Sequence, residues 1–361
     1  MAAAYRLFKA RKNLEVTLID KKWSSDFLPT LPDCIGRGIN PESLSYKIES
    51  AAKRFGFRFI YEEVISVGLE KKQAYTASGA IDYDYLIIAS GSETNFYGNE
   101  NIKKYAYKLD EVEDARKIIS ALKQSAFENF IIGGGGYTGI EVVTNLRRYL
   151  NKIKSKKKII IVERTPSILG PLPAWMKDYV LTNLKSLNVE VLVNSSLEKI
   201  EDEKVYVSGG RIYEKSLVVW AAGVKTSGFI QSLNSEKNPQ GRIKVDEYLR
   251  LNESCFVIGD AAFFSYKSSF LRMAVQFAIA QGDCAAANVI NQIKKRKLKK
   301  FKPLDFGYII PMANNKSCGK ILGLNLKGAL PTIFHFLMCV YRSYSLKNKS
   351  GLILGLLKGG A

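Results

Sequence analysis

The sequence predicts an α/β chain of two parallel-sheet units built on one plan, followed by an amphipathic tail. Three observations carry this. Across residues 129–163 an apolar strand, a glycine-rich turn, a helical pattern and a second strand ending in an acid follow one another. Residues 2–20 repeat the later half of that order: helix, strand, acid. Two further apolar strands, one in each unit, end in Ala89-Ser90-Gly91 and Ala221-Ala222-Gly223. A duplicated nucleotide-binding fold, Rossmann-like in both copies, explains the double match better than coincidence.

The stretch Asn129 to Glu141 is the most informative. Phe130, Ile131 and Ile132 read as a strand buried on both faces. They lead into Gly134-Gly135-Gly136-Tyr137-Thr138-Gly139, a G-x-G-x-x-G spacing, and then into a helical run from Ile140 to Leu150. Gly134 permits the tight turn, Gly136 lets the backbone approach a pyrophosphate, and Gly139 allows helix and strand to pack closely. The next strand, Lys158 to Val162, delivers Glu163, 24 positions after Gly139. A carboxylate there accepts hydrogen bonds from a ribose 2′-OH and repels a 2′-phosphate, which favours NADH over NADPH. Arg164, adjacent, opposes that preference.

Residues 1–12 combine strong helix formers with an apolar face, and the strand Leu14 to Asp20 follows. Asp20 either meets a ribose or caps a turn. Such units place the acid about 20 residues beyond the glycine loop. Met1 lies 19 residues before Asp20. The chain therefore reads as lacking the strand and glycine loop of its first unit, and Met1 as an internal start. A loop with Pro29 and Pro32 comes next, then a helix over 42–55, strands near 57–69 and a strand from Tyr83 to Gly91. Pro173 to Leu187 reads as a crossover helix, 189–207 as a strand meander, and 231–240 as a surface loop. After Val245 the chain returns to the first unit. The short strand from Cys255 presents Gly259 and Asp260 at its tip, and a helix runs from Leu271 to about Gln292. The expected boundaries are 1–105 and 244–313 for the first unit, 106–243 for the second, and 314–361 for the tail.

Seven of the nine residues from Lys294 to Lys302 are basic, a pattern usual for a solvated helix end. Residues 330–361 mix Leu, Ile, Phe and Met with Arg342, Lys347, Lys349 and Lys358. That composition suits either a helix pair lying in a membrane interface or an element packed on the protein's own core or a dimer partner. The net charge of +20 points to an anionic partner: a lipid surface, an acidic protein or nucleic acid. No base-reading motif accompanies it, so nucleic acid is the least supported. The five cysteines are scattered without a C-x-x-C pair, so neither a redox dithiol nor a zinc site is signalled, and no metal is expected. His335 is the single histidine. No run is long enough to span a bilayer.

Two nucleotide units, the Ala-x-Gly strand ends and Ile258-Gly259-Asp260 before a helix resemble the two-dinucleotide flavoproteins. Within them the chain is most similar to type II NADH dehydrogenase, the single-subunit NADH:quinone oxidoreductase of membrane surfaces. This resemblance implies FAD and NADH as cofactors, a membrane quinone as acceptor and a peripheral place on the cytoplasmic face of the cell membrane. By position, Asp20 matches the acid on the FAD ribose, and Gly259 and Asp260 the turn that holds the ribityl or pyrophosphate part. Gly91 and Gly223 match the small residues at strand ends beside the ligands. Gly134, Gly136, Gly139 and Glu163 match the NADH fingerprint. Glu141 matches a glutamate near the nicotinamide; a first-turn carboxylate favoured by the helix dipole is its ordinary alternative. Gln276, Ala278, Gln281 and Gly282 agree with a segment beside the flavin and the quinone tunnel, whereas Val275 and Ala280 depart from it. Sulfide:quinone oxidoreductases share this plan but carry a cysteine in the second glycine loop, absent from Gly133 to Glu141. A soluble NADH-dependent ferredoxin or rubredoxin reductase, with an acidic carrier as partner, is a further alternative. A non-enzymatic one is a flavin-free NADH-binding fragment. A homodimer is compatible with each.

Overall fold

The computed structural model describes residues 1–10, 14–124, 127–267 and 269–359. Packing divides the chain into two compact units: Met1–Ser25, Lys47–Glu93 and Val224–Asp305 form one, and Asp26–Tyr46, Thr94–Gly223 and Phe306–Ala361 the other.

In the first unit two parallel strand pairs set the frame. Thr17–Asp20 pairs with Arg58–Tyr61, bringing Asp20 opposite Tyr61. Leu86–Ile88 pairs with Cys255–Val257. Val16, Thr17, Ile19, Ile87 and Val257 are β-branched or isoleucine positions that favour extended backbone. The N-terminal helix Ala2–Lys9 packs along the helix Val275–Ile293, whose Gly282 admits close approach: a Cβ there would lie 3.2 Å from the Cβ of Ala2. Arg6 and Asp283 bridge them at 2.7 Å, an exposed contact worth little by itself. Phe256, Ile258, Phe264, Ala285, Val289 and Phe301 form the core between these elements.

Two expected elements are shorter here. The strand drawn from Tyr83 extends only over Leu86–Ile88, because the Tyr83 N–H closes a turn onto Lys72 and Gly91 turns the chain at φ +69°. The helix expected from Leu271 begins at Val275, because Ser269–Phe270 pairs with Ser265–Tyr266 and the Leu271 N–H bonds Phe264. The expected helix over 42–55 is likewise divided. Asn40 caps a 3-10 turn, Pro41–Leu44; an extended piece, Ser45–Lys47, follows; and the helix proper is Ile48–Phe55, stopped by Gly56 at φ +60°. The basic run begins at the end of the helix, with Lys294 as its C-cap and the Lys295 and Arg296 N–H groups on the carbonyls of Gln292 and Asn291, and continues without regular structure to the buried Phe301.

The second unit holds a four-stranded parallel sheet in the order Val189–Leu192, Lys158–Val162, Asn129–Gly133, Ser216–Trp220. Ile131, Ile132, Ile160, Ile161 and Val219 are fully buried, as a parallel sheet covered on both faces requires. The helix Tyr137–Lys152 covers one face with Ile140, Val143, Leu146 and Leu150. Ala174–Ser186 forms the expected crossover helix. Val189–Leu192 joins the parallel sheet and is not part of a meander, since it pairs with Ile159–Val162. The meander comprises Leu197–Glu201, Lys204–Val207 and Arg211–Tyr213. Within this unit the chain closes with three antiparallel strands, Gly307–Ile310, Ser317–Ile321 and Leu324–Gly328, and two helices, Ala329–Arg342 and Leu346–Gly359. Asn348 anchors the last helix by donating to the carbonyls of Ser43 and Ser45, both at 2.9 Å.

Candidate cofactor sites and their carboxylates

The glycine loop of the second unit is built as its spacing predicts. Gly134 sits at φ +112°, and a Cβ there would lie 2.7 Å from the carbonyl oxygen of Ala221. A Cβ on Gly139 would collide with the backbone oxygen of Gly134, so that glycine lets helix and loop touch. Around Gly136 nothing lies within 4 Å of the added atom. This is the open side, where a phosphate can approach. Gly136 is the N-cap of the helix Tyr137–Lys152 and offers it no side-chain cap, so the positive end of the helix dipole faces the open side of the loop.

Glu163 closes the loop. Its Oε2 accepts the Gly135 N–H at 2.7 Å, and its Oε1 accepts the N–H and hydroxyl of Thr165 at 2.8 and 2.7 Å. The carboxylate is therefore oriented before any ribose binds. The Arg164 guanidinium lies over the ring of Tyr97, 5.5 Å from its centre. Gly223, at φ +151°, leaves room only for Tyr97, whose hydroxyl donates to Ala222 at 3.0 Å.

In the first unit Asp260 stands in the turn Gly259–Ala261, beyond the strand Cys255–Val257, and accepts the Ser92 hydroxyl at 2.9 Å. Gly259 takes φ +67°, and its N–H bonds Gln281 Oε1 at 2.7 Å. Gln281 is thus buried and spent on the turn, while Gln276 bonds Asp305, which Arg272 also grips at 2.6 and 2.8 Å. Asp20 ends its strand with Oδ1 on the Lys22 N–H at 2.9 Å, and burial raises its carboxyl above the usual range. Gly91 has open space about it. One contributor has no signal in the sequence. Arg242 is buried and donates to the carbonyls of Asp260, Ala262 and Leu271 at 3.1, 2.6 and 3.1 Å, bracing the turn that carries Asp260.

Glu141 is the fifth residue of its helix, past the first turn, so the helix dipole does not account for it. Burial and the nearby charge of Asp33 push its carboxyl well above the usual value. Asp33 is buried and pairs with Arg37 at 3.0 Å; burial still outweighs the cation and raises Asp33 to about 6. Among the described residues no cluster of His, Cys, Asp and Glu is arranged to hold a metal. The cysteines are unpaired thiols, and Cys34, Cys255, Cys318 and Cys339 are buried.

A glycine loop at a helix N-terminus with an oriented acid at the end of the next parallel strand is the arrangement of a dinucleotide-binding fold. The family profile described as pyridine nucleotide-disulphide oxidoreductase matches residues 1–282, and the chain belongs to that family. It is 26% identical to a type II NADH:quinone oxidoreductase of Staphylococcus saprophyticus, with 87% of this chain and 84% of that protein covered. Its fold matches NDH2 of Plasmodium falciparum, solved with NADH, at a TM-score of 0.85 and 19% identity, over 99% and 95% of the two chains. It also matches the sulfide:quinone oxidoreductase of Aquifex aeolicus at a TM-score of 0.78 and 19% identity, over 97% and 89%.

Proposed function

We propose that the chain is an NADH:quinone oxidoreductase that passes a hydride from NADH to FAD and two electrons on to a quinone. The observation that carries this is the oriented Glu163 beside an open Gly136 in the second unit; the Asp260 turn of the first unit, held from two sides, supports it. Bound FAD supplies the hydride and electron chemistry; the protein supplies placement and electrostatics. In this reading Gly134, Gly136, Gly139, Glu163 and Gly223 hold NADH, and Asp20, Gly91, Gly259 and Asp260 hold FAD. Residues 1–105 and 244–313 carry the flavin role and 106–243 the NADH role. Glu141, in the second unit, and Gln276 and Gln281, in the first, are the proposed catalytic residues, with Gln281 acting through the Gly259 turn. Persulfide chemistry is disfavoured because Gly133 to Glu141 contains no cysteine.

The tail supports a membrane-surface location. Leu330, Ile333, Phe334, Leu337, Met338 and Tyr341 recur at helical spacing and are exposed, while Pro331, Thr332, Phe336 and Cys339 face inward. Leu346, Ile353, Leu354 and Leu357 of the last helix are exposed too, with Lys347, Lys349 and Lys358 among them. An apolar stripe with flanking cations suits a helix lying in an anionic lipid interface. Among the described residues no helix is long and apolar enough to cross a membrane. A second copy on the same stripe is the competing occupant.

The test is direct. Purified protein supplied with FAD should oxidise NADH with a short-chain quinone and sediment with anionic vesicles. Rapid NADH oxidation only with a small acidic iron–sulfur protein, and no quinone reduction, would favour the soluble reductase. No NADH oxidation with any acceptor would leave only a nucleotide-binding protein.

A further inference from the structure

We propose that Tyr97 is a positioning residue that holds the Arg164 guanidinium over the glycine loop, where its charge meets the diphosphate of a bound dinucleotide, and keeps it from a 2′-phosphate. The proposal rests on the reading of Gly134 to Glu163 as the NADH site, and names what sets that site's choice between NADH and NADPH. All the residues concerned lie in the second unit. In its parallel sheet the strand Asn129–Gly133, which feeds the loop, stands between Lys158–Val162 and Ser216–Trp220. Glu163 and Arg164 follow one of these neighbours and Ala221 to Gly223 the other, so the two groups stand about 10 Å apart, two strand spacings. Tyr97 closes that distance. Its hydroxyl donates to the Ala222 carbonyl at 3.0 Å, and its ring centre lies 5.5 Å from Arg164 Cζ. Both flanks border the loop directly: a Cβ on Gly134 would meet Ala221 and Ala222, and one on Gly135 would touch Glu163. Among the described residues Arg164 makes no ion pair or hydrogen bond, and the Tyr97 ring is its partner.

The backbone is arranged to present this ring. The Asn99 N–H bonds the Phe96 carbonyl at 3.0 Å, and the residues between, Tyr97 and Gly98, take φ +52° and +77°. Positive φ at both central positions is the type I′ pattern, which Asn, Asp or Gly fills at low cost and a bulky aromatic does not. Asn95 locks the turn. It accepts the Tyr97 N–H on Oδ1 at 2.8 Å and the Trp220 indole N–H on its carbonyl at 2.9 Å, while its own N–H reaches the Gly223 carbonyl at 3.0 Å. Gly223 completes the seat, since a Cβ there would strike the Tyr97 hydroxyl. The ring stays exposed, so burial does not repay the strain; a strained aromatic at the rim of a ligand crevice is placed for contact. The charges then sort the cofactors. NADH and NADPH share the diphosphate and differ in the 2′-phosphate. Glu163 repels that phosphate, and an arginine beside such an acid ordinarily accommodates it. Arg164 drawn onto Tyr97 serves the shared group instead.

The experiment measures Kd for NADH and for NADPH by calorimetric titration of purified, FAD-supplied protein. It compares wild type, Tyr97→Asn, Tyr97→Phe, Arg164→Gln and the double variant Tyr97→Asn with Arg164→Gln. Asparagine tolerates the positive φ of the turn, so Tyr97→Asn removes the ring and keeps the fold. Its NADPH-to-NADH Kd ratio should fall about fivefold, the scale of an exposed cation–π contact. Tyr97→Phe, which keeps the ring, should hold the ratio within about twofold of wild type. Arg164→Gln should weaken both cofactors alike, about tenfold, as a diphosphate contact demands. The double variant should show the ratio of Arg164→Gln alone. A ratio unmoved in Tyr97→Asn, a ratio moved as far in the double variant, or Arg164→Gln weakening NADPH alone overturns the proposal. Gly136→Ala then tells two failures apart. If it leaves NADH binding intact, the dinucleotide does not lie on this loop; if it abolishes binding, the NADH site stands and only the role of Tyr97 falls.

Discussion

Gln281 accepts the Gly259 N–H through Oε1 at 2.7 Å, so a buried side chain of the helix Val275–Ile293 holds the turn that presents Asp260. In Gln281→Ala that N–H loses its partner in a buried setting, a cost of about 1–3 kcal/mol. Flavin retention should weaken about tenfold, measured by titrating apoprotein with FAD and following flavin fluorescence. An unchanged Kd would remove Gln281 from the cradle.

The glycine loop separates packing from binding. Gly139→Ala forces a methyl into the Gly134 backbone and should destabilise the protein by about 3 kcal/mol or more, read as a fall in Tm. Gly136→Ala meets no protein atom, so Tm should change by no more than about 0.5 kcal/mol allows. NADH binding should nonetheless collapse, because the methyl occupies the phosphate approach. If Gly136→Ala bound NADH normally, the open side would not be the phosphate site.

Glu163→Ala removes the acceptor set ready for the ribose. NADH binding should weaken by about 1–3 kcal/mol, measured by calorimetric titration, and discrimination against NADPH should shrink because a repelling charge is gone. Equal Kd values before and after would detach Glu163 from the nucleotide.

The tail helices make an independent prediction. Leu337→Glu and Leu354→Glu place carboxylates on exposed apolar positions, so the fold should tolerate them. Co-sedimentation with anionic vesicles should fall about tenfold or more, since each change opposes burial in the interface and attraction to anionic lipid. Retained vesicle binding together with loss of a dimer would transfer the stripe to a second copy.

His335 predicts a pH dependence of stability. Its folded pKa, about 4, lies below the unfolded value of 6.5, so between these limits the unfolded chain binds more protons. The neutral imidazole contributes fully above pH 6.5, and that contribution is lost as pH falls toward 4. His335→Gln should flatten the fall of Tm across that window. An identical slope in both proteins would mean that the histidine is not buried neutral.

The nucleotide loop was legible because its information is local. Gly134, Gly136 and Gly139 encode a turn, an opening and a contact within six residues, and Glu163 ends the neighbouring strand of a parallel sheet whose apolar runs announce themselves. The same held for the tail: its cations and apolar residues are visible as composition. Less was legible where short elements compete. Ser269–Phe270 took a strand pairing in place of a helix, and Val189–Leu192 joined the parallel sheet, because partners distant in the chain decided both.

By itself the sequence determined that the chain folds as two nucleotide-binding units and where the glycine loop turns, since backbone conformation and helix starts follow from neighbours in the chain. Only the tertiary structure decided that Arg242 braces the Asp260 turn and that Asp33 stands beside Asn145, 112 positions away. Burial and charge proximity are properties of a folded arrangement. They push the Glu141 carboxyl well above its usual range, and no spacing along the chain records them.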